Sequence, residues 1–271
     1  MRFDSNRAWR EASASVSGNR DVLVALAGVF LLLPSLAFSL FVPQPTPAPG
    51  MSEEQMLALM SAYYTSALPL LIPMALVQAG GTLSILTLFT DRNRPTVGQA
   101  IRRGFVGVLP YIVAQILFGM ALGLAAGLLL MVGSLTGVAA IAAVSVVLAL
   151  ALAIWAAIRI SLVAPIVVVE GQRNPIAALL RSWSLTRGNV ARLGVFYALV
   201  IVAFLVIMIL VMAVVGVVLA LIAGGEVTRV VAAVFSSALG AALTVYLVAI
   251  LAAAHRQLAG SPVDGIAATF D

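Results

Sequence analysis

The chain contains no cysteine, no lysine and a single histidine, and only 9% of its 271 residues are charged. Each scarcity removes a class of chemistry. Without cysteine there is no disulfide, no thiolate metal site, no thiol nucleophile and no lipoprotein anchor. Without lysine, glycine pairs such as Gly224-Gly225 are not followed by the Lys-Ser or Lys-Thr of a phosphate-binding loop. The lone His255 stands beside Arg256. A zinc site needs three or four nitrogen, sulfur or carboxylate ligands, and the sequence offers His255 no companions. Nor does it pair His255 with an acid in a way that suggests a Ser–His–carboxylate triad. His255 reads as an interfacial residue, and no metal, cofactor or catalytic residue is expected. The shortage of charge says most. A soluble domain carries about 25% charged residues, so with 63% hydrophobic residues here the default solvent is lipid.

What is present follows from that solvent. Apolar runs fall at roughly 22–43, 66–90, 106–133, 136–168, 191–223 and 229–254. Each meets the roughly 20 residues that a helix needs to cross about 30 Å of hydrocarbon. Lipid offers no partner to free backbone groups, so the spans must be helices or a closed barrel, and the alternating segments of about ten residues that mark a barrel are absent. The expected fold class is all-α: a polytopic membrane helix bundle of six transmembrane helices, with amphipathic inner-surface helices. It forms one membrane domain over 1–271, with a segment 1–21 ahead of the first span and a tail 255–271 behind the last. The first apolar run is longer than a signal-peptide core. Pro43-Gln44-Pro45-Thr46-Pro47 follows it in place of a small-residue cleavage site, so it reads as a retained anchor.

All fifteen basic residues are arginine, which fits GC-rich coding better than any function. The formal charge of +5 could suit nucleic acid, but the arginines flank apolar runs rather than forming one patch, so no nucleic-acid partner is expected. Arg2, Arg7, Arg10 and Arg20 precede the first span. Arg92, Arg94, Arg102 and Arg103 lie between the second and third. Arg159 lies just inside the end of the fourth, Arg173, Arg181, Arg187 and Arg192 follow it, and Arg256 follows the sixth. Six crossings put these fourteen on one side and only Arg229, with Glu53, Glu54 and Glu226, on the other. The positive-inside rule then places both termini in the cytoplasm.

The connections have character of their own. Ser52-Glu53-Glu54-Gln55 has capping-box spacing, and Met56, Leu59, Met60 and Tyr63 recur at helical spacing after it, which predicts a short amphipathic helix on the outer surface. Ser134 to Thr136 leaves room only for a tight turn. On the inner side, Thr96 and Gln99 have capping-box spacing ahead of Val97, Ala100 and Ile101, while Asn174 can cap a helix with Pro175 at its first position and Ile176, Leu179, Leu180 and Trp183 as its apolar stripe. Trp9-Arg10-Glu11 through Arg20 precedes the first span in the same manner. Three surface helices, each feeding an outgoing span, would make a pseudo-threefold repeat of helix pairs.

Inside the membrane, small residues are expected to set the packing. Gly119, Gly123 and Gly127 form one ridge, and Ala233, Ser237 and Ala241, with Ser236 and Gly240, form others. Pro69, Pro73 and Gly80-Gly81 predict a kinked or interrupted second span. Gln78, Gln115 and Thr244 are the main polar residues within spans, each expected to bond to a neighbouring helix. Arg159 has three readings: snorkelling to the interface, pairing with Glu170, or holding a lipid phosphate.

Arg159-Ile160-Ser161-Leu162-Val163-Ala164-Pro165 through Glu170, then Asn174-Pro175, Ala178-Leu179, Arg181-Ser182-Trp183-Ser184-Leu185-Thr186 and Gly188, resembles the membrane-domain family named after glycerophosphoryl diester phosphodiesterases. The recognisable part covers roughly 159–189, and the six-helix layout also fits. The phosphodiesterase that gives the family its name is a separate soluble domain with paired histidines and metal-binding carboxylates, which this chain does not have. The resemblance implies a bacterial inner-membrane protein that assists membrane or lipid handling. The expectation is a non-enzymatic protein whose partners are membrane lipids, or another membrane or cytoplasmic protein, met through Arg159, Glu170, Arg173, Arg181, Trp183 and Arg187. A small-molecule or lipid transporter is the alternative, and a polar cavity near Gln78, Gln115 and Arg159 would mark it.

Overall fold

The computed structural model describes residues 2–42, 45–90, 96–222 and 224–260. Arg92, Arg94, Pro43, Gln44 and the tail beyond 260 lie outside them. Among the described residues the fold is all-α, and six helices are long and apolar enough to cross a membrane: Arg20–Phe41, Glu53–Thr90, Val97–Leu135, Ala139–Val169, Val190–Leu221 and Gly225–Ala259.

A helix α1, Ser5–Gly18, precedes the first span; Asp4 caps it by accepting from the Arg7 N–H. The first span is built of α2 (Arg20–Ala27), a π-helical turn (Gly28–Leu32) and α3 (Leu33–Phe41). Pro34 explains the π turn. It has no N–H to return to the Phe30 carbonyl and its ring crowds that carbonyl, so the chain widens and the Leu33 N–H reaches back to Gly28 instead.

The second and third spans depart from the expected layout. The Ser52–Gln55 capping box is present, yet the helix it starts does not stop at the outer surface. It runs unbroken as α4, Glu53–Thr90, through Pro69, Pro73, Gly80 and Gly81. The Thr96–Gln99 capping box is also present and opens α5, Val97–Leu135, again without a break. At 38 and 39 residues each is about 57 Å long, nearly twice the hydrocarbon thickness. The expected outer helix is therefore the first turns of span two, and the expected inner helix at Val97 is the first turns of span three. Helix propagation costs less than a new start, and Gly104, at the second junction, packs against α4 instead of turning the chain.

Gly137, with φ +66°, makes the tight turn into α6, Ala139–Ile160. The fourth span breaks at Ser161-Leu162 and resumes as α7, Val163–Val169. Then come α8 (Pro175–Leu185), α9 (Val190–Ile222) and α10 (Gly225–Ala259). Asn174 caps α8 as its sequence foretold, accepting from the Ile176 and Ala177 N–H groups. Separate surface helices thus precede the first and fifth spans but not the third, so the three units of the expected repeat are not alike.

The core lies mostly at the arginine-rich end, where Leu83, Ile85, Leu86, Leu162, Ile166, Leu193 and Ile250 are fully buried. Towards the other end the helices present apolar side chains outward, with Leu124 71% and Leu221 80% exposed. Glycines fix where the helices meet. A Cβ at Gly104 would lie 2.8 Å from the Ser84 Cα, so α4 and α5 touch backbone to backbone there, and one at Gly80 would enter the Phe105 ring. Gly80-Gly81 therefore serves close packing rather than a break. Of the expected ridges, Ala233, Ser237 and Ala241 are buried, while Gly119, Gly123, Gly127 and Gly240 have no atom within 4 Å of where a Cβ would stand.

Candidate functional site: the arginine-rich end

The break in the fourth span organises this end. Where α6 gives way to α7, the Leu162 N–H and the Arg159 carbonyl lose regular helical partners. Ser182, on α8, meets both: its Oγ accepts from Leu162 N at 3.2 Å and donates to the Arg159 carbonyl at 2.8 Å. Thr186, one turn on, also reaches the Arg159 carbonyl at 3.3 Å and the Ser182 carbonyl at 3.0 Å. Ser182 and Thr186 are fully buried, so α8 is plugged into the break rather than lying loosely on the membrane.

The same contact disposes of Arg159. Its guanidinium lies 5.3 Å from the Trp155 ring and 4.8 Å from the Trp183 ring, with the two indoles edge to face at 5.0 Å. Its Nη1 donates to the Trp183 carbonyl at 2.9 Å, and its Nε is buried without a partner among the described residues. Each cation–π contact contributes about 0.5–2 kcal/mol. Of the readings open in the sequence, pairing with Glu170 is excluded by this geometry.

Glu170 has other partners. It closes α7 and accepts from Arg181 Nε at 3.1 Å through one oxygen while the other lies 2.9 Å from His255 Nε2. His255 is only 4% exposed. The interfacial reading of His255 is thus corrected: α10 continues past 254 to Ala259, which carries His255 inward onto Glu170. Spacing could not reveal a pair 85 residues apart. Arg256 completes the brace, donating to the free Phe89 carbonyl at the end of α4 at 2.9 Å and to Glu11 at 3.3 Å. Glu11 also takes Arg7 at 2.7 Å. The Phe3 N–H donates to Asn189 at 2.9 Å and Asp4 meets Gln257, so α1 and the turn before α9 are tied to the same end.

Arg159, Glu170, Arg181 and Trp183 are therefore brought together in two adjoining braces. Arg173 and Arg187 are exposed outside them and have no carboxylate partner among the described residues. Arg173 instead joins Arg102 and Arg103 around a groove of ≈ 440 Å³. The sequence reading used Arg102 only for orientation. The signal that could have found it is the spacing of Arg102, Val106, Leu109 and Val113 along one face of α5.

Among the described residues no three His, Asp or Glu side chains gather as a metal site would require. The interior polar residues are engaged locally. Gln78 donates to Ser35 across spans two and one at 2.9 Å, as expected; Gln115 bonds to Tyr111 and Thr244 to the Gly240 carbonyl, both within their own helices. Compared with family models, with curated proteins and with solved structures, the chain matches none of them.

Proposed function

We propose that this is a non-enzymatic, multi-pass protein of a bacterial inner membrane, with both termini in the cytoplasm, that binds anionic phospholipid at its arginine-rich end. The observation that carries the reading is the division of labour among the arginines there. Arg159, Arg181 and Arg256 are spent on tryptophan, carboxylate and carbonyl partners that hold the end rigid. Arg102, Arg173 and Arg187 stand exposed above it. Guanidinium groups at headgroup depth favour phosphate oxygens, and Trp183, 38% exposed, suits the same depth.

The second reading, a small-molecule or lipid transporter, would call for a polar passage near Gln78, Gln115 and Arg159. Those side chains are engaged by Ser35, Tyr111 and Trp183, and the cavities of ≈ 440, 580 and 640 Å³ among the described residues are lined by others, which favours the first. The test is the melting temperature of the purified protein with phosphatidylglycerol against phosphatidylcholine. Ligand at about a hundred times its dissociation constant stabilises by about 2.7 kcal/mol, so phosphatidylglycerol should raise the melting temperature by roughly 5 °C or more. Equal melting in the two lipids contradicts lipid selectivity and leaves a partner protein as the occupant to seek.

A further inference from the structure

Two cavities adjoin on the outer face of α5. The first, ≈ 440 Å³, has Arg102, Arg103 and Arg173 at its mouth and Val106, Pro110 and Val167 beneath. The second, ≈ 370 Å³, shares Val106, Pro110 and Arg173 and continues past Leu109 to Val113. The two make one cleft, basic at the top and apolar below. Among the described residues no carboxylate lines either part. Glu170, at the end of α7, is held by Arg181 and His255.

The local sequence builds this shape. Gly171, at φ +67°, reverses the chain after α7 and brings Arg173 round to α5. Gly107 lets α5 approach α4 and α7: a Cβ there would lie 3.3 Å from both Leu83 and Val167. Arg102, Val106, Leu109 and Val113 then form a stripe on one face of α5, with Leu109 72% exposed. From Arg102 to Val113 the helix rises about 16 Å, close to the roughly 15 Å depth of one hydrocarbon leaflet.

We infer that this cleft is a binding site for one anionic phospholipid, its phosphate held between Arg102 and Arg173, and an acyl chain lying along Val106, Leu109 and Val113. The inference rests on the lipid-binding reading above and narrows it to a place. A free phosphate would use only the mouth and leave the apolar stripe without a role; a lipid fills both.

The test uses the intact protein in nanodiscs or detergent, with titration of short-chain phosphatidylglycerol, phosphatidylcholine and glycerol phosphate as separate probes. The wild type should prefer phosphatidylglycerol. The double variant Arg102→Gln/Arg173→Gln should lose roughly tenfold or more in affinity for it, each arginine near the surface being worth about fivefold. Arg192→Gln, of equal charge change per site, should stay within about twofold. Leu109→Asn/Val113→Asn should weaken phosphatidylglycerol without touching the weak binding of glycerol phosphate, which has no acyl chain. Restoration of most of the affinity by Arg102→Lys/Arg173→Lys would show that the double variant fails for want of charge rather than of fold. A wild type that prefers phosphatidylglycerol with a double variant that still does so overturns the cleft and leaves the broader reading standing. A wild type with no preference overturns both. Glycerol phosphate binding as tightly as the lipid overturns the assignment to a lipid in favour of a soluble phosphate ester.

Discussion

Ser182 is a small residue with a large consequence, because it satisfies two backbone groups that the α6–α7 break leaves free. Replacing it with alanine leaves a buried N–H and weakens the bonding of a buried carbonyl, at a cost of about 1–3 kcal/mol. Ser182→Ala should therefore lower the melting temperature of the purified protein by several degrees, whereas Ser184→Ala, two residues away and exposed with its hydroxyl on its own helix, should change stability by less than about 0.5 kcal/mol. Equal melting of the two variants would show that the hydroxyl does not plug the break. At this scale the sequence was only partly legible. The run Arg181-Ser182-Trp183 displays its charge and its indole, but a serine's role depends on which backbone groups it meets. For Arg159 the sequence leaves three readings open, of which pairing with Glu170 is not the one the structure shows. Partners distant in sequence decided each: Trp183 for Arg159, and His255 for Glu170.

The helices themselves were the most legible part. Length and hydropathy locate six spans, and Asn174-Pro175, Thr96–Gln99 and Ser52–Gln55 each begin a helix where the capping rules place one. What capping signals do not reveal is where a helix ends, so two expected surface helices became the leading turns of α4 and α5. Small-residue ridges were ambiguous for a related reason: spacing shows that a ridge exists, not that a neighbour fills it. Gly104, outside any expected ridge, sits at the α4–α5 backbone contact, while a Cβ at Gly119, Gly123 or Gly127 would meet nothing within 4 Å among the described residues of the neighbouring helices. Gly104→Val should thus separate α4 from α5 and destabilise by about 1–3 kcal/mol through overpacking. Gly123→Val should leave the monomer's stability within about 1 kcal/mol, because no neighbour stands in its way and loss of a helical glycine offsets the β-branched penalty. Thermal melts of the two variants in detergent, with size-exclusion profiles, decide it; comparable destabilisation would contradict the packing described.

For the whole molecule, the fold concentrates its core and its cross-braces at one end and presents apolar helices to lipid over the other. That polarity coincides with the distribution of the arginines, fourteen of fifteen at the braced end by the order of the spans. The central claim is that this braced, arginine-rich end faces the cytoplasm and is the working surface. The absence of cysteine makes the direct measurement clean, since any single cysteine introduced is the only thiol. Glu54→Cys, at the opposite end, and Ser17→Cys and Ser184→Cys, at the arginine-rich end, are all at exposed positions. With a membrane-impermeant maleimide applied to spheroplasts, the account predicts labelling of Glu54→Cys at once and of the other two only after the membrane is opened. Labelling of Ser17→Cys or Ser184→Cys in intact spheroplasts would contradict it.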